Sequence, residues 1–297
     1  MPAEPADLIP PSWHAAPAYD FTDGDLVAEL LAGCRDDKGP YILDPEQRLV
    51  LDDWFGYART PRGPRLAAFE GAVVACRQNM KTGVLKAAAL GKIYVSEQRL
   101  VVWSAHEFFA SREAFRDLKI LIESNPDMDA EVQKIWTGAG AEAIEFTGDR
   151  RLIFKARTNS SGRSLSGDTV ILDEAFALQP EHIASLAPTL AARPDPQMLY
   201  GSSAGLLSSS VLRAIRDRGR GRVGRLAYAE WAGEFRPCLH AECDHAVGSE
   251  GCALDDESLW RQGNTAIARG RMTVETIAGL RQANAAEPMK FAREQIG

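Results

Sequence analysis

No stretch of this 297-residue chain approaches the ~20 consecutive apolar residues that a membrane-spanning helix needs, so the sequence predicts no membrane partner. The first nineteen residues are proline-rich and lack a basic start, which excludes a secretory signal and suggests a partly ordered arm. Cysteine is scarce. Five residues, an odd number without a secretory signal, exclude a disulfide framework and point to reduced thiols in a cytoplasm. Positive charge is also short: 34 Lys and Arg face 41 Asp and Glu, a net charge of −7 that argues against wholesale coating of nucleic acid. A local basic patch stays open. Repeats and low-complexity segments are absent. What remains, 45% apolar and 25% charged, is an ordinary globular composition, long enough for one large domain with an appendage or for two small ones.

One further absence is local and more informative. Arg77-Gln78-Asn79-Met80-Lys81-Thr82 ends in the Lys-Thr pair of a phosphate-binding loop, yet the motif G-x-x-x-x-G-K-[ST] would need glycine at Ala75 and Met80. The surroundings still fit. The uncharged apolar run Ala72–Cys76 reads as a buried parallel strand, and Gly83–Leu90 is rich in helix formers. Strand, loop and helix in that order turn loop amides and a helix N-terminus toward a phosphate. Lys81 would then lie on the β- and γ-phosphates, and the Thr82 hydroxyl would ligate Mg²⁺. With Met at position 80, the backbone there must avoid positive φ.

About ninety positions on, the apolar run Thr169–Leu172 ends in Asp173-Glu174. Ligands of open α/β sheets bind at the C-terminal ends of strands. Two adjacent acids leave a strand in different directions, so Asp173 can serve Mg²⁺ while Glu174 accepts a proton from an attacking water. An ordinary acidic turn after a core strand is the plain alternative. Together the two stretches describe an ATP-hydrolysing site.

The rest of the chain alternates strand and helix. Pro45–Phe55 has helical apolar spacing, and Thr60–Arg65 breaks the chain. Arg99–Ser104 reads as a strand, and His106–Ser124 as an amphipathic helix with Phe108, Phe109, Phe115, Leu118, Leu121 and Ile122 on its apolar face. Two short runs around Gly148-Asp149 predict a hairpin, and Gln197–Ser203 a further strand. The predicted fold class is α/β: a P-loop NTPase with a mostly parallel central sheet flanked by helices, plus a small C-terminal linker and helical region. The expected organisation is an arm over 1–40, an ATPase domain over 41–235, and a Cys/His-containing linker over 236–297. Six arginines between Arg213 and Arg225 suit either a phosphate-contacting loop or a solvated helix end.

The pieces Leu43–Gln47, Arg77–Thr82, Ser104–His106, Ser161–Arg163, Val170–Ala175 and Phe291–Glu294 run in an order that resembles the ATPase half of the large terminase subunit of tailed double-stranded-DNA bacteriophages. The resemblance covers roughly residues 40–297. In that family the phosphate loop commonly has an Arg-Gln-Asn core, which accounts for the missing first glycine; Met80 departs from the pattern. The resemblance implies that Arg77 senses the γ-phosphate and that Gln47 contacts adenine, while Gln78 and Asn79 belong to the loop. It also implies that Arg163, ten residues before Asp173, reaches a neighbouring subunit's nucleotide, with Arg157 as the rival. Ser202 and Ser203 resemble the coupling motif that passes hydrolysis to the DNA grip.

The implied activity is Mg-dependent ATP hydrolysis that drives double-stranded DNA into procapsids. The implied partners are further copies in a ring, the portal protein and the small terminase subunit, in the cytoplasm of an infected bacterium. A catalytically weak nucleotide-binding subunit and a helicase-like ATPase outside packaging are the alternative readings. Cys238, Cys243, Cys252 and His245 (or His240) could hold a structural Zn²⁺, although no C-x₂-C pair is present. The family's nuclease portion would follow Phe291–Glu294, so the sequence given predicts no nuclease activity.

Overall fold

The parallel core expected from the apolar runs is present in the computed structural model, which describes residues 8–157, 167–233 and 253–297. Nine strands form the central sheet: β1 (Trp13–Ala15), β2 (Glu70–Ala75), β3 (Leu100–Ala105), β4 (Val132–Trp136), β5 (Ala143–Phe146), β6 (Arg150–Ala156), β7 (Thr169–Leu172), β8 (Gln197–Ser202) and β9 (Leu226–Trp231). Their spatial order is β1-β9-β2-β8-β7-β3-β6-β5-β4. The six strands from β9 to β6 pair in parallel. Antiparallel strands close both sides, β1 at one and β5-β4 at the other. The expected hairpin is the β5–β6 pair, with Gly148 and Asp149 both at positive φ in its turn.

Alternate residues of each core strand feed two separate cores, as parallel strands covered on both faces require. Val73, Trp103, Ile171 and Leu199 point into one face. It is packed by α1 (Gly24–Ala32), α2 (Pro45–Trp54), α3 (Lys81–Tyr94) and α4 (Phe108–Glu123). Ala72, Val74, Val102, Val170, Leu172 and Tyr200 point to the other, under α5 (Pro180–Leu190) and α6 (Ser210–Arg220). At α2 the chain start is set by an N-cap Asp44, Pro45 in the first turn and Gln47 completing a capping box.

Several expectations change in detail. The residues read as an arm contribute Val27 and Leu31 of α1, both fully buried, and strand β1 to the main body. Thr60–Arg65, read as a break, belongs to a hairpin of Gly56–Thr60 with Gly63–Leu66. Phe108 and Phe109 are exposed at the start of α4, whose buried side begins instead at Ser111 and Ala114. Half of the arginine run is spent on structure. Arg218 and Arg220 grip Glu70 and Glu230 with two nitrogens each, and Arg225 donates to the carbonyls of Ala67 and Leu66. Residues 253–297 fold around their own apolar cluster, with Leu254, Trp260, Ile277, Phe291 and Ile296 inside.

Lys92, late in α3, is the least expected core residue. It is completely buried, with Nζ 3.4 Å from the Trp54 carbonyl and 4.0 Å above the Phe55 ring. Burial pushes its pKa down to about 7 from the ordinary 10.5, with Asp195 and Asp23 opposing. Between those values the unfolded chain holds a proton that the folded chain has released, so stability rises as pH climbs through that interval and the burial penalty is full below it. The Trp54 carbonyl keeps the Gln197 amide, 3.0 Å away, when the lysine is removed. We predict that Lys92→Met raises stability by about 1–4 kcal/mol at pH 6–7, as for other buried charges replaced by apolar groups. In chemical denaturation that gain should shrink as the pH approaches 10.

Candidate active site

The chemistry-bearing segments meet because the core strands end at one level. Leu172 is in register with both Ser104 and Tyr200, Ser202 with Val74, and Ala75 with Trp231. The phosphate-loop segment leaves β2, and Asp173-Glu174 leaves β7, with only β8 between them. Gly201 of β8 is required there: a Cβ would stand 2.5 Å from Leu85 of α3 and 3.6 Å from the Asp173 carboxylate.

The loop 76–80 solves its missing glycines in a specific way. Met80 has φ −67°, a right-handed conformation that any residue adopts, and its side chain is buried in the core beneath α3. The positive φ (54°) falls on Gln78 instead. Lys81 opens α3 and folds back over the loop, donating to the Ala75 carbonyl at 2.7 Å and to the Cys76 carbonyl. Burial pushes its pKa down to about 8, while the negative charge of Asp173 works against the shift and Arg77 reinforces it. Thr82 is exposed in the first turn of α3.

Asp173 is pushed up to about 6, chiefly by burial. Glu174 adds repulsion, whereas a 2.8 Å bond from the Glu174 amide, Lys81 and Arg157 favour the ionised form. Glu174 itself sits in the left-handed region at φ 53° and ψ 48°, rare for a residue with a long side chain. Its buried Oε2 has no hydrogen-bond donor among the described residues. An exposed threonine, an ammonium and two carboxylates follow strands that end at one level; a phosphate-bound Mg²⁺ there would take hard oxygen ligands, of which Thr82 and Asp173 are the candidates.

Other predicted residues divide. Gln47 is buried beside the loop, and its amide is partly committed: Oε1 accepts from the Asp44 amide at 2.9 Å, and Nε2 donates to the Met80 carbonyl at 3.1 Å. Arg77 is largely exposed, its guanidinium 3.8 Å from Glu294. Asn79 turns away from the loop to the C-terminal helices, donating to the Gly263 carbonyl and accepting from the Thr265 hydroxyl at 2.6 Å. Ser202 is buried at the end of β8 and donates to the Ser203 carbonyl. Arg163 and the expected zinc set Cys238, Cys243, His245 and Cys252 lie outside the described residues. Among the described residues no group of three His, Cys, Asp or Glu is placed to hold a metal, and Cys34 and Cys76 are buried free thiols.

Local sequence reasoning missed how the C-terminal helices hold the loop. The Arg77 amide donates to the Glu294 carbonyl at 2.9 Å. Arg271 grips Asp44 with two nitrogens, at 2.8 and 2.6 Å, and Arg269 grips the fully buried Glu46. Leu43–Gln47 and Phe291–Glu294 are thus two brackets around one loop. No spacing rule links residues more than 200 positions apart.

Strand, loop and helix, faced by a strand ending in Asp-Glu across one intervening strand, define a P-loop NTPase-like fold. No protein-family model and no curated protein matches the sequence. Solved structures do. The chain has the fold of phage large terminases: it superposes on the large terminase of bacteriophage HK97 with a TM-score of 0.72 at 18% identity, covering 93% of this chain and 55% of that one. A mutant of the large terminase ATPase domain from Thermus phage P74-26 matches with a TM-score of 0.50 at 15% identity, over 71% of this chain and 87% of that one. The chain therefore spans about half the length of the HK97 protein.

Glu46 is wholly buried and accepts from the Ile9 amide at 2.8 Å as well as from Arg269, so removing it breaks a buried pair from one side and takes away a backbone acceptor. Glu46→Ala should cost about 3–5 kcal/mol, the range for breaking a buried pair from one side. Chemical denaturation checks the value.

Proposed function

We propose that this chain is the ATP-hydrolysing motor portion of a phage DNA-packaging terminase. The observation that carries the proposal is the meeting of Lys81-Thr82 and Asp173-Glu174 at one end of the sheet, with Lys81 and Asp173 close enough to alter each other's proton affinity. The terminase fold places packaging motors ahead of other ATPases; fold likeness alone leaves the activity to be measured.

In this reading the Lys81 ammonium exchanges the carbonyls of Ala75 and Cys76 for β- and γ-phosphate oxygens. It is short of water and weakly satisfied by two carbonyls, so an anionic partner is a better one. Thr82 and Asp173 hold Mg²⁺, which when bound neutralises phosphate charge. Glu174 orients water and accepts its proton; its buried oxygen, without a donor among the described residues, suits that role. The exposed Arg77 guanidinium is free to swing from Glu294 to the γ-phosphate. Arg163 would supply charge to a neighbouring subunit's nucleotide, and Ser202-Ser203 would relay hydrolysis along β8. The remaining N–H and lone pair of Gln47 would meet the adenine edge. Double-stranded DNA, a ring of copies, the portal protein and a small terminase subunit are the proposed partners, in the cytoplasm of an infected bacterium.

Steady-state ATP hydrolysis with and without double-stranded DNA tests this. Wild type should turn over, and Glu174→Gln should lose roughly 10²–10⁴-fold in kcat with nucleotide binding retained. Lys81→Ala should lose binding as well. Absence of turnover in the wild type would overturn the proposal.

A further inference from the structure

Glu174 has a left-handed backbone, and the side chain that contacts that backbone is Arg157. This arginine follows β6 and is 7% exposed. Its guanidinium touches three backbone carbonyls. One terminal nitrogen donates to Ser104 at 2.9 Å, and the other donates to Asp173 and, at 3.2 Å, to Glu174. Its own amide donates to the Ala105 carbonyl at 2.9 Å. The carbonyls belong to the ends of β3 and β7, where the ladder stops: the Asp173 amide makes the last bond across, to Ser104, at 2.9 Å.

Past that bond the chain must turn sharply to place Ala175–Ala177 in a short helical turn, and it does so through positive φ at Glu174. An L residue with a long side chain rarely adopts that conformation unless its surroundings over-determine it. A planar fork with several donors supplies the constraint; a lysine ammonium, a point charge on a flexible stem, would not fix three acceptors in the same way. The positive charge also favours the ionised form of the Asp173 carboxylate.

We propose that Arg157 is a positioning residue that holds the left-handed backbone of Glu174 and thereby aims its carboxylate. It touches no substrate and acts through Glu174. The kinetic part rests on the ATPase reading above; the conformational part does not.

Two measurements separate them. In the first, Arg157→Ala and Arg157→Lys are compared with wild type for ATP turnover and for binding of a fluorescent ATP analogue. Arg157→Ala should lose on the order of 100-fold in kcat, the scale of a displaced general base, with binding little changed, and Arg157→Lys should fall between. Equal losses of turnover and affinity, or full turnover in folded Arg157→Ala, would overturn the kinetic role. If Arg157→Ala fails to fold, Arg157→Lys alone decides by the same criteria.

The second measurement needs no activity. Glu174→Gly and Glu174→Ala both remove the carboxylate, and only glycine accepts positive φ freely. In the Arg157 background the glycine variant should melt higher than the alanine variant by about 2–4 °C. In the Arg157→Lys background the gap should close as the backbone relaxes. An unchanged gap would overturn the proposal. A wild type without turnover would sink the ATPase reading and leave this cycle to judge Arg157; turnover with an unchanged gap would do the reverse.

Discussion

Parallel hydrogen bonding among β2, β8, β7 and β3 is the constraint on which the site depends. Each strand is buried on both faces, so a slip of one residue would exchange the side chains of two separate cores. Register is therefore held firmly, and with it the level at which every strand ends. The side chains that emerge beyond that level inherit their spacing from the ladder rather than from their loops. Lys81 and Asp173 are brought within electrostatic reach by a strand that carries neither, and Gly201 on that strand leaves room for Leu85 of α3.

The two irregular features of the site have different origins. The phosphate loop lacks glycine at both motif positions, yet it is unstrained at Met80, because the helical conformation starts one residue early and the Met side chain fills the core. Strain sits instead at Gln78 and Glu174, both at positive φ. Each is locked by neighbours: Gln78 lies between an amide bound to Glu294 and a side chain bound to Gly263 and Thr265, and Glu174 lies under Arg157. Conformations of this kind persist where the surroundings impose them, which is common at sites that must hold a geometry. The C-terminal helices are thus part of the loop's support. Asp44 and Glu46 at the start of α2 tie the same helices down from the other side.

Residues chosen by chemistry gain weight from where they lie. Lys81, Thr82, Asp173 and Glu174 meet at the sheet edge. Asn79 faces the C-terminal helices, and Gln47 spends part of its amide on the Asp44 cap and the Met80 carbonyl. Arginine is the instructive residue type. From sequence, the run from Arg213 to Arg225 suits either a phosphate-contacting loop or a solvated helix end; in the structure Arg218, Arg220 and Arg225 neutralise or cap groups beside the sheet.

What the sequence determined by itself was periodic or contiguous. Runs of apolar residues without charge specified the buried parallel strands, because a strand covered on both faces has no polar side to show. Pro45 and the apolar spacing after it specified a helix, because that spacing repeats within a few turns. Lys81-Thr82 and Asp173-Glu174 marked the candidate site, because each pair follows an apolar strand run and few other reasons place such pairs at strand ends. Only the tertiary structure decided the rest: which strand lies between them, that Phe108 and Phe109 face out, that Lys92 lies in the core, and that Arg157 braces Glu174. Those outcomes depend on bonds and packing between segments far apart in the chain, 16 residues for Arg157 and Asp173 and 38 for Lys92 and Trp54, and no local pattern records which distant carbonyl or carboxylate a side chain will meet.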